Sequence, residues 1–259
     1  MRFSRAHLVP LLRSVPLARA SWHLYLRVSY SINVLWRHKL DKWVYRVPSE
    51  VVKSNTKKAF DYFYSQNEFV ETDYLRDSRL AFIDLIADYC APELADYSST
   101  SDGYLLIDVG CGTGHFLLAL QKRLGNAAGT LIGMDFSSVA LSRARALIPG
   151  ASFIEADIYS IPYPTSHFDV VTSIETLEHL KKPQLALSEL SRICKPNGRL
   201  VITVPDDTDD WDGHVNFWTT ESLRSFLAPA GVVEIIELPE HGTLLARVTI
   251  NPSVRSGIG

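Results

Sequence analysis

Cysteine is scarce in this sequence: Cys90, Cys111 and Cys194 are the three present, and none forms a C-x-x-C pair. An odd count without metal-ligand spacing excludes a disulfide-stapled scaffold or a zinc ribbon and fits a reducing compartment. No uncharged apolar run reaches about 18 residues, which excludes a transmembrane helix. Gly (14) and Pro (13) are too few in 259 residues for low complexity. No G-K-[ST] follows a glycine loop, so a nucleoside-triphosphate P-loop is excluded as well. Acidic residues are missing from Met1 to Leu40, where Arg2, Arg5, Arg13, Arg19, Arg27 and Arg37 are spread out.

What is present is ordinary globular usage, 46% apolar and 21% charged, with an uneven charge. Residues 1–58 carry 12 Lys/Arg against Asp41 and Glu50, and the remainder carries 14 against 27 Asp/Glu. Such a split predicts two parts with different roles. Three segments are expected: a basic aromatic segment over 1–48, a helical lead-in or lid over 49–97, and a ligand-binding domain over 98–259. The arginine-rich, acid-free start fits a mitochondrial transit peptide in a eukaryote. It fits equally a basic surface resting on anionic lipid, or simple packing on its own domain. Residues 22–36 are apolar at both strand and helix periods, and a helix is preferred.

Residues 49–96 read as helical, with Ser49 as a cap and Phe60, Tyr62, Phe63 and then Leu80, Phe82, Ile83, Leu85, Ile86 at helical spacing. The polar run 98–103 reads as a loop. A regular alternation follows. Strands are predicted over 104–109, 131–135, 152–155, 168–174, 199–204, 232–238 and 243–250. Helices are predicted over 115–124, 139–148, 183–194 and 220–227. This is the pattern of an α/β fold built on a seven-stranded, mostly parallel sheet. The last two strands lack an intervening helix, so they should pair antiparallel.

The first strand runs into Asp108-Val-Gly110-Cys-Gly112-Thr-Gly114. Glycines at a strand-to-helix turn allow a sharp bend and close backbone approach to a ligand. A dinucleotide fingerprint needs a third glycine at position 115, which is His115, so the loop is G-x-G-x-G instead. Asp135 ends the second strand, where a carboxylate can accept both hydroxyls of a ribose. Asp157 follows the third strand, and the fourth runs into Glu175-Thr-Leu-Glu178-His179.

In these motifs, residues 104–250 resemble the class I S-adenosylmethionine-dependent methyltransferases. The resemblance implies a Rossmann-like sheet with helices on both faces and an antiparallel last strand. It also implies S-adenosyl-L-methionine as cofactor. Gly110, Cys111 and Gly112 would pass under its methionine part, and Asp108 would brace the loop or approach the amino group. Asp135 would hold the ribose, Phe136, Asp157 and Ile158 would flank the adenine, and Ile174 would line the sulfonium end. Arg79 matches an arginine that grips the cofactor carboxylate in ubiquinone-pathway relatives, with Arg76 as a competitor.

Glu175, Glu178 and His179 are spaced i, i+3, i+4 and are expected on one helix face. With His214, which follows the fifth strand, Glu175 and His179 are the expected catalytic residues, His214 being the acceptor-side base. E-x-x-E-H also resembles the divalent-metal ligands of ubiquinone O-methyltransferases and small-RNA 2′-O-methyltransferases. That alternative would use Glu175, Glu178, His179 and His214 to hold Mg²⁺, but a metal-free site is preferred. Thr219 or Thr220 is the expected cap of the helix after His214. His115 is read as a helix start, and His167 and His241 as loop residues.

The expected activity is O-methylation of a small or lipid-like molecule, with Phe60, Tyr62, Phe63, Tyr64 and Tyr74 as an aromatic lid. The expected location is cytoplasmic or membrane-peripheral. The rivals are RNA 2′-O-methylation, disfavoured by the acidic domain, and a non-catalytic cofactor-binding partner subunit. No DNA partner is expected.

Overall fold

A computed structural model describes residues 54–66, 77–95, 104–125, 129–207 and 213–252. The expectations for residues 1–48, Ser49, Tyr74, Arg76 and the 98–103 loop lie outside these. Six α-helices and seven strands are present among the described residues. In chain order they are α1 (Lys57–Ser65), α2 (Asp77–Ala95), β1 (Leu105–Val109), α3 (His115–Leu124), β2 (Thr130–Asp135), α4 (Ser138–Leu147), β3 (Ser152–Glu155) and β4 (Phe168–Ile174). After a 3₁₀ turn at Leu177–His179 come α5 (Pro183–Ile193), β5 (Cys194–Pro205), α6 (Thr220–Leu227), β6 (Gly231–Leu238) and β7 (Thr243–Ile250).

The strands form one sheet in the order β3-β2-β1-β4-β5-β7-β6. All neighbours are parallel except β7, which is antiparallel to both β5 and β6. The final pair is the hairpin expected from the missing helix, turning at Gly242 with φ 61°. Period-two alternation puts successive residues of the central strands into different cores. Ile107, Val171 and Ile202 face α5 and α6, packing on Leu190, Ile193, Leu223 and Leu227. Leu106, Val170 and Val201 face α2 and α3, packing on Phe82, Ile86, Leu117 and Leu120. Burying both faces is why these strands read as continuous apolar runs.

Helix capping is local, and of the three caps that follow only Thr219 is expected from the sequence. Thr56 accepts from the Ala59 amide to start α1, Ser137 accepts from the Ala140 amide to start α4, and Thr219 forms a capping box with Ser222. Two expectations need correction. The helix predicted to include Cys194 stops at Ile193, and β5 starts five residues before Arg199. Cys194 pairs with Phe168, and Arg199 pairs with Val170. Between them, Pro196 cannot donate and Asn197 takes φ 61°, so Lys195–Gly198 bulges out of the ladder.

The second correction concerns Glu175, Glu178 and His179, which do not share a helix face. Glu175 follows β4 at φ 51°, and its amide donates to Thr203 O (3.1 Å) and Thr203 Oγ1 (3.0 Å). That anchoring to β5 turns the chain before any α-helix starts, and only Leu177–His179 is helical, as a 3₁₀ turn. The sheet reverses its winding between β1 and β4, so the crevice beyond the carboxyl ends of these strands is where an α/β fold binds ligand.

Candidate active site

The glycine loop wraps the end of β2. The amides of Gly110 and Cys111 both donate to Met134 O, at 2.8 and 3.0 Å. Gly110 (φ 83°), Gly112 (φ 51°) and Gly114 (φ 83°) are all left-handed, a conformation that costs an L-residue about 1–2 kcal/mol. A Cβ on Gly110 would also lie 2.7 Å from Thr176 Cγ2. Thr176 thus closes the loop from the β4 side. The loop is a bare-backbone cradle that side chains would fill.

Two buried carboxylates support it. Asp135 Oδ2 accepts from the Gly112 amide (2.9 Å) and Oδ1 from the Ser137 amide (2.8 Å). The Phe136 amide is a third donor to this carboxylate, and of its roughly four acceptor sites capacity remains for a hydroxyl donor. Burial raises Asp135 to about 6 despite these amides. Asp108 lies beneath the loop, 1% exposed, and accepts from Thr172 Oγ1 (2.8 Å). Burial, opposed by that hydrogen bond and reinforced by the Asp135 charge, lifts Asp108 to about 7. The Cys111 thiol is raised well above its usual range, mainly by burial, so Cys111 stays a thiol and contributes only backbone here.

The remaining candidate cofactor residues are placed as follows. The Phe136 ring meets Phe60 at 5.4 Å. Asp157 is exposed and its Oδ1 accepts from the Tyr159 amide (2.9 Å), an Asx turn. Ile158 and Ile174 are half-buried against opposite cores. Arg79, in the first turn of α2, is near enough to His115 to depress its pKa, behind the larger effect of burial. His115 opens α3 and is hydrogen-bonded to Thr113 Oγ1 (2.8 Å). His167 stacks on Tyr163 at 5.3 Å and His241 packs on Phe82 at 5.2 Å, both outside regular elements.

In the segments that follow β4 and β5, the structure gathers Glu178, His179 and His214, with one ligand atom of each within 4.8 Å of the others. Glu175 is not part of this group, which corrects the four-residue set. The His179 and His214 rings are 4.8 Å apart. His179 Nδ1 lies 3.3 Å from Gly213 O. A carbonyl only accepts, so Nδ1 carries the proton of that hydrogen bond. The opposite nitrogen, Nε2, lies 3.6 Å from Glu178 Oε1, a carboxylate that is 1% exposed. Helix α1 covers the crevice: Phe60 sits edge-on to His179 at 5.4 Å while touching Phe136. Among the described lid residues, Phe63 and Tyr64 are buried, Tyr62 is exposed, and Phe60 contacts both His179 and Phe136.

Sequence reasoning missed Asn55, Lys57 and Asn216. Asn216 Nδ2 donates to Leu177 O (2.9 Å) and Leu180 O (2.6 Å), stapling the 3₁₀ turn to the His214 segment. Lys57 Nζ donates to Phe136 O (2.5 Å) and Glu155 Oε1 (2.9 Å). No spacing signal marks such long-range polar contacts.

Residues 107–202 match the family model described as a methyltransferase domain. The glycine cradle described above lies within this matched region, and the strand order agrees with it. It is 33% identical over 128 residues to 2-methyl-6-phytyl-1,4-hydroquinone methyltransferase of Synechocystis sp., covering 48% of this chain and 39% of that protein. It is 23% identical over 177 residues to the fatty-acid O-methyltransferase of Mycolicibacterium smegmatis, covering 68% and 63%. The chain therefore spans about two fifths to three fifths of the length of these relatives. Among solved structures, the methyltransferase domain of the citrinin polyketide synthase superposes with a TM-score of 0.61 at 17% identity, covering 73% of this chain and 58% of that one. That likeness concerns the fold.

Asp135→Ala is expected to weaken S-adenosylmethionine and its demethylated product alike by roughly 1–3 kcal/mol, through loss of charge-assisted ribose hydrogen bonds. Asp135 is raised to about 6, and the protonated carboxyl accepts less well. The gap between wild type and variant should therefore narrow as pH falls through about 6. Calorimetry across pH 5–8 checks this, and an unchanged affinity at pH 8 removes Asp135 from the site.

Proposed function

We propose that this protein methylates a hydroxyl of a small or lipid-like molecule, using S-adenosylmethionine as donor. The carrying observation is the His179–His214 pair at the crevice mouth, beside the glycine cradle and the Phe60–Phe136 wall. The cofactor supplies a sulfonium-activated methyl group. The chain's own task is to orient the acceptor, exclude water and take one proton. In this reading Gly110, Gly112 and Asp135 hold the cofactor, Arg79 faces its carboxylate, and Phe136, Asp157 and Ile158 flank the adenine. His214 takes the hydroxyl proton and His179 orients the acceptor. The apolar wall and relatives named for a prenylated hydroquinone and a fatty acid support a lipid-like acceptor. Incubation with methyl-labelled cofactor and fractionated hydroxylated lipids and phenols tests it. Label confined to carbon or nitrogen, or no turnover with any fraction, rejects it.

A second reading is favoured by the Glu178, His179 and His214 cluster. Two imidazoles and a carboxylate suit Mn²⁺ or a similar divalent ion, and Nε2 of His179 and Oε1 of Glu178 face each other across 3.6 Å. An ion held there would polarise an acceptor oxygen.

Residues 1–48 are proposed as a separate basic segment that meets anionic lipid. No helix among the described residues is long and apolar enough to cross a membrane. Deleting 1–48 is expected to preserve cofactor affinity and to abolish sedimentation with phosphatidylglycerol vesicles at low salt, since surface attraction decays within a Debye length. Vesicle binding that survives the deletion, or is missing from the full chain, overturns this role.

A further inference from the structure

Helix α1 is tied to both walls of the crevice. On the cofactor wall, Lys57 donates to Phe136 O and Glu155, and Asp61 Oδ1 accepts from Ser137 Oγ at 2.6 Å. On the acceptor wall, the residue before the helix cap supplies a polar tie: Asn55 Nδ2 donates to Gly213 O at 2.8 Å, bridging 158 positions of sequence. The same carbonyl accepts from His179 Nδ1 (3.3 Å), and the next residue is His214. A carbonyl has two lone pairs, so both are engaged, one by the lid and one by the site. Asn55 holds φ 44°, a left-handed conformation that asparagine tolerates better than most residues.

We propose that Asn55 is a positioning residue: through the shared Gly213 carbonyl it fixes the His179 ring and the start of the His214 segment only when α1 is docked. The acceptor-side histidines are thus assembled by lid closure rather than standing ready in an open site. Bonds that do not involve α1 also hold this segment: Asn216 Nδ2 donates to Leu177 O and Leu180 O, and the Val215 and Asn216 amides donate to Glu178 O (2.8 and 3.2 Å). The proposal rests on the acceptor-side roles of His179 and His214 given above.

The test uses the full chain with Asn55→Gly, which keeps the left-handed backbone and deletes the amide, and Asn55→Asp, which keeps the side-chain shape but turns the donor into an acceptor. Lys57→Met is the control, because it removes the lysine's bonds to the cofactor wall, leaving the Asp61–Ser137 bond, without touching Gly213. Long-range ¹H–¹⁵N spectra of ¹⁵N-histidine protein report which His179 nitrogen is protonated, with no need for turnover. In both Asn55 variants His179 should move from the Nδ1–H form to a tautomer mixture. The kcat should fall about tenfold, the scale of a lost orienting hydrogen bond, and cofactor Kd should stay within about twofold. Lys57→Met should leave the tautomer unchanged. An unaltered His179 tautomer in Asn55→Gly overturns the proposal, as does an unaltered kcat. A wild type that turns over no hydroxyl acceptor, yet shows the tautomer change, overturns the functional reading and leaves the coupling between α1 and His179 standing.

Discussion

Gly110→Val is expected to yield a folded protein that no longer binds S-adenosylmethionine, with affinity lowered more than a hundredfold. Two independent costs meet at this position. The backbone holds φ 83°, where a β-branched residue is a steric outlier costing about 1–3 kcal/mol. The added Cβ would also lie 2.7 Å from Thr176 Cγ2. The loop can escape only by moving away from Thr176 and releasing the Gly110 and Cys111 amides from Met134 O. That displacement shifts the Gly112 amide off Asp135 and fills the space a ligand would occupy. The sheet and both cores lie beneath the loop, so circular dichroism and a cooperative melt should persist. Calorimetry with the cofactor and with its demethylated product is the measurement. Normal affinity in a folded variant would place the cofactor cradle elsewhere.

The parts of this site that were legible in the sequence are those whose geometry is local. Gly110, Gly112 and Gly114 follow directly from a strand that must turn into a helix within five residues, and Asp135 from the last position of a strand. The cap at Thr219 is read from a hydroxyl placed just before an apolar-periodic run. The errors arose where distant contacts override local spacing. The interval between Glu175 and His179 looks helical, yet Glu175 is pulled to φ 51° by Thr203, 28 residues away. Cys194 reads as the last turn of a helix, but Phe168 recruits it into the sheet. Asn55 and Asn216 act through backbone carbonyls 158 and up to 39 positions distant. Carbonyl acceptors are present at every residue and leave no imprint on a sequence. The cluster of Glu178, His179 and His214 was anticipated in composition, because each follows a parallel strand at the same sheet edge. Its membership was not, because loop conformation alone decides that Glu175 is excluded.

In the proposed reading, His214→Ala is expected to lower kcat by about 10²–10⁴, the range for loss of a positioned general base, with cofactor Kd nearly unchanged because His214 then serves the acceptor and not the cofactor. The pH profile carries the mechanism. Below the acceptor's own pKa the hydroxyl keeps its proton and a base is needed, so the deficit should be full there. As pH rises through that pKa the acceptor ionises without help, and the variant should approach wild type. Chelation should leave the wild-type rate unchanged if the histidines act by themselves. In the metal-bound alternative the pattern differs at three points. Chelation would suppress turnover, Mn²⁺ or Mg²⁺ would restore it, and Glu178→Ala would match His214→Ala, since loss of either ligand leaves the ion under-coordinated. In that case the deficit of His214→Ala would be relieved by added metal rather than by raising the pH. One chelation series and one pH series on the wild type, His214→Ala and Glu178→Ala therefore separate proton transfer by His214 from polarisation by an ion shared with Glu178 and His179.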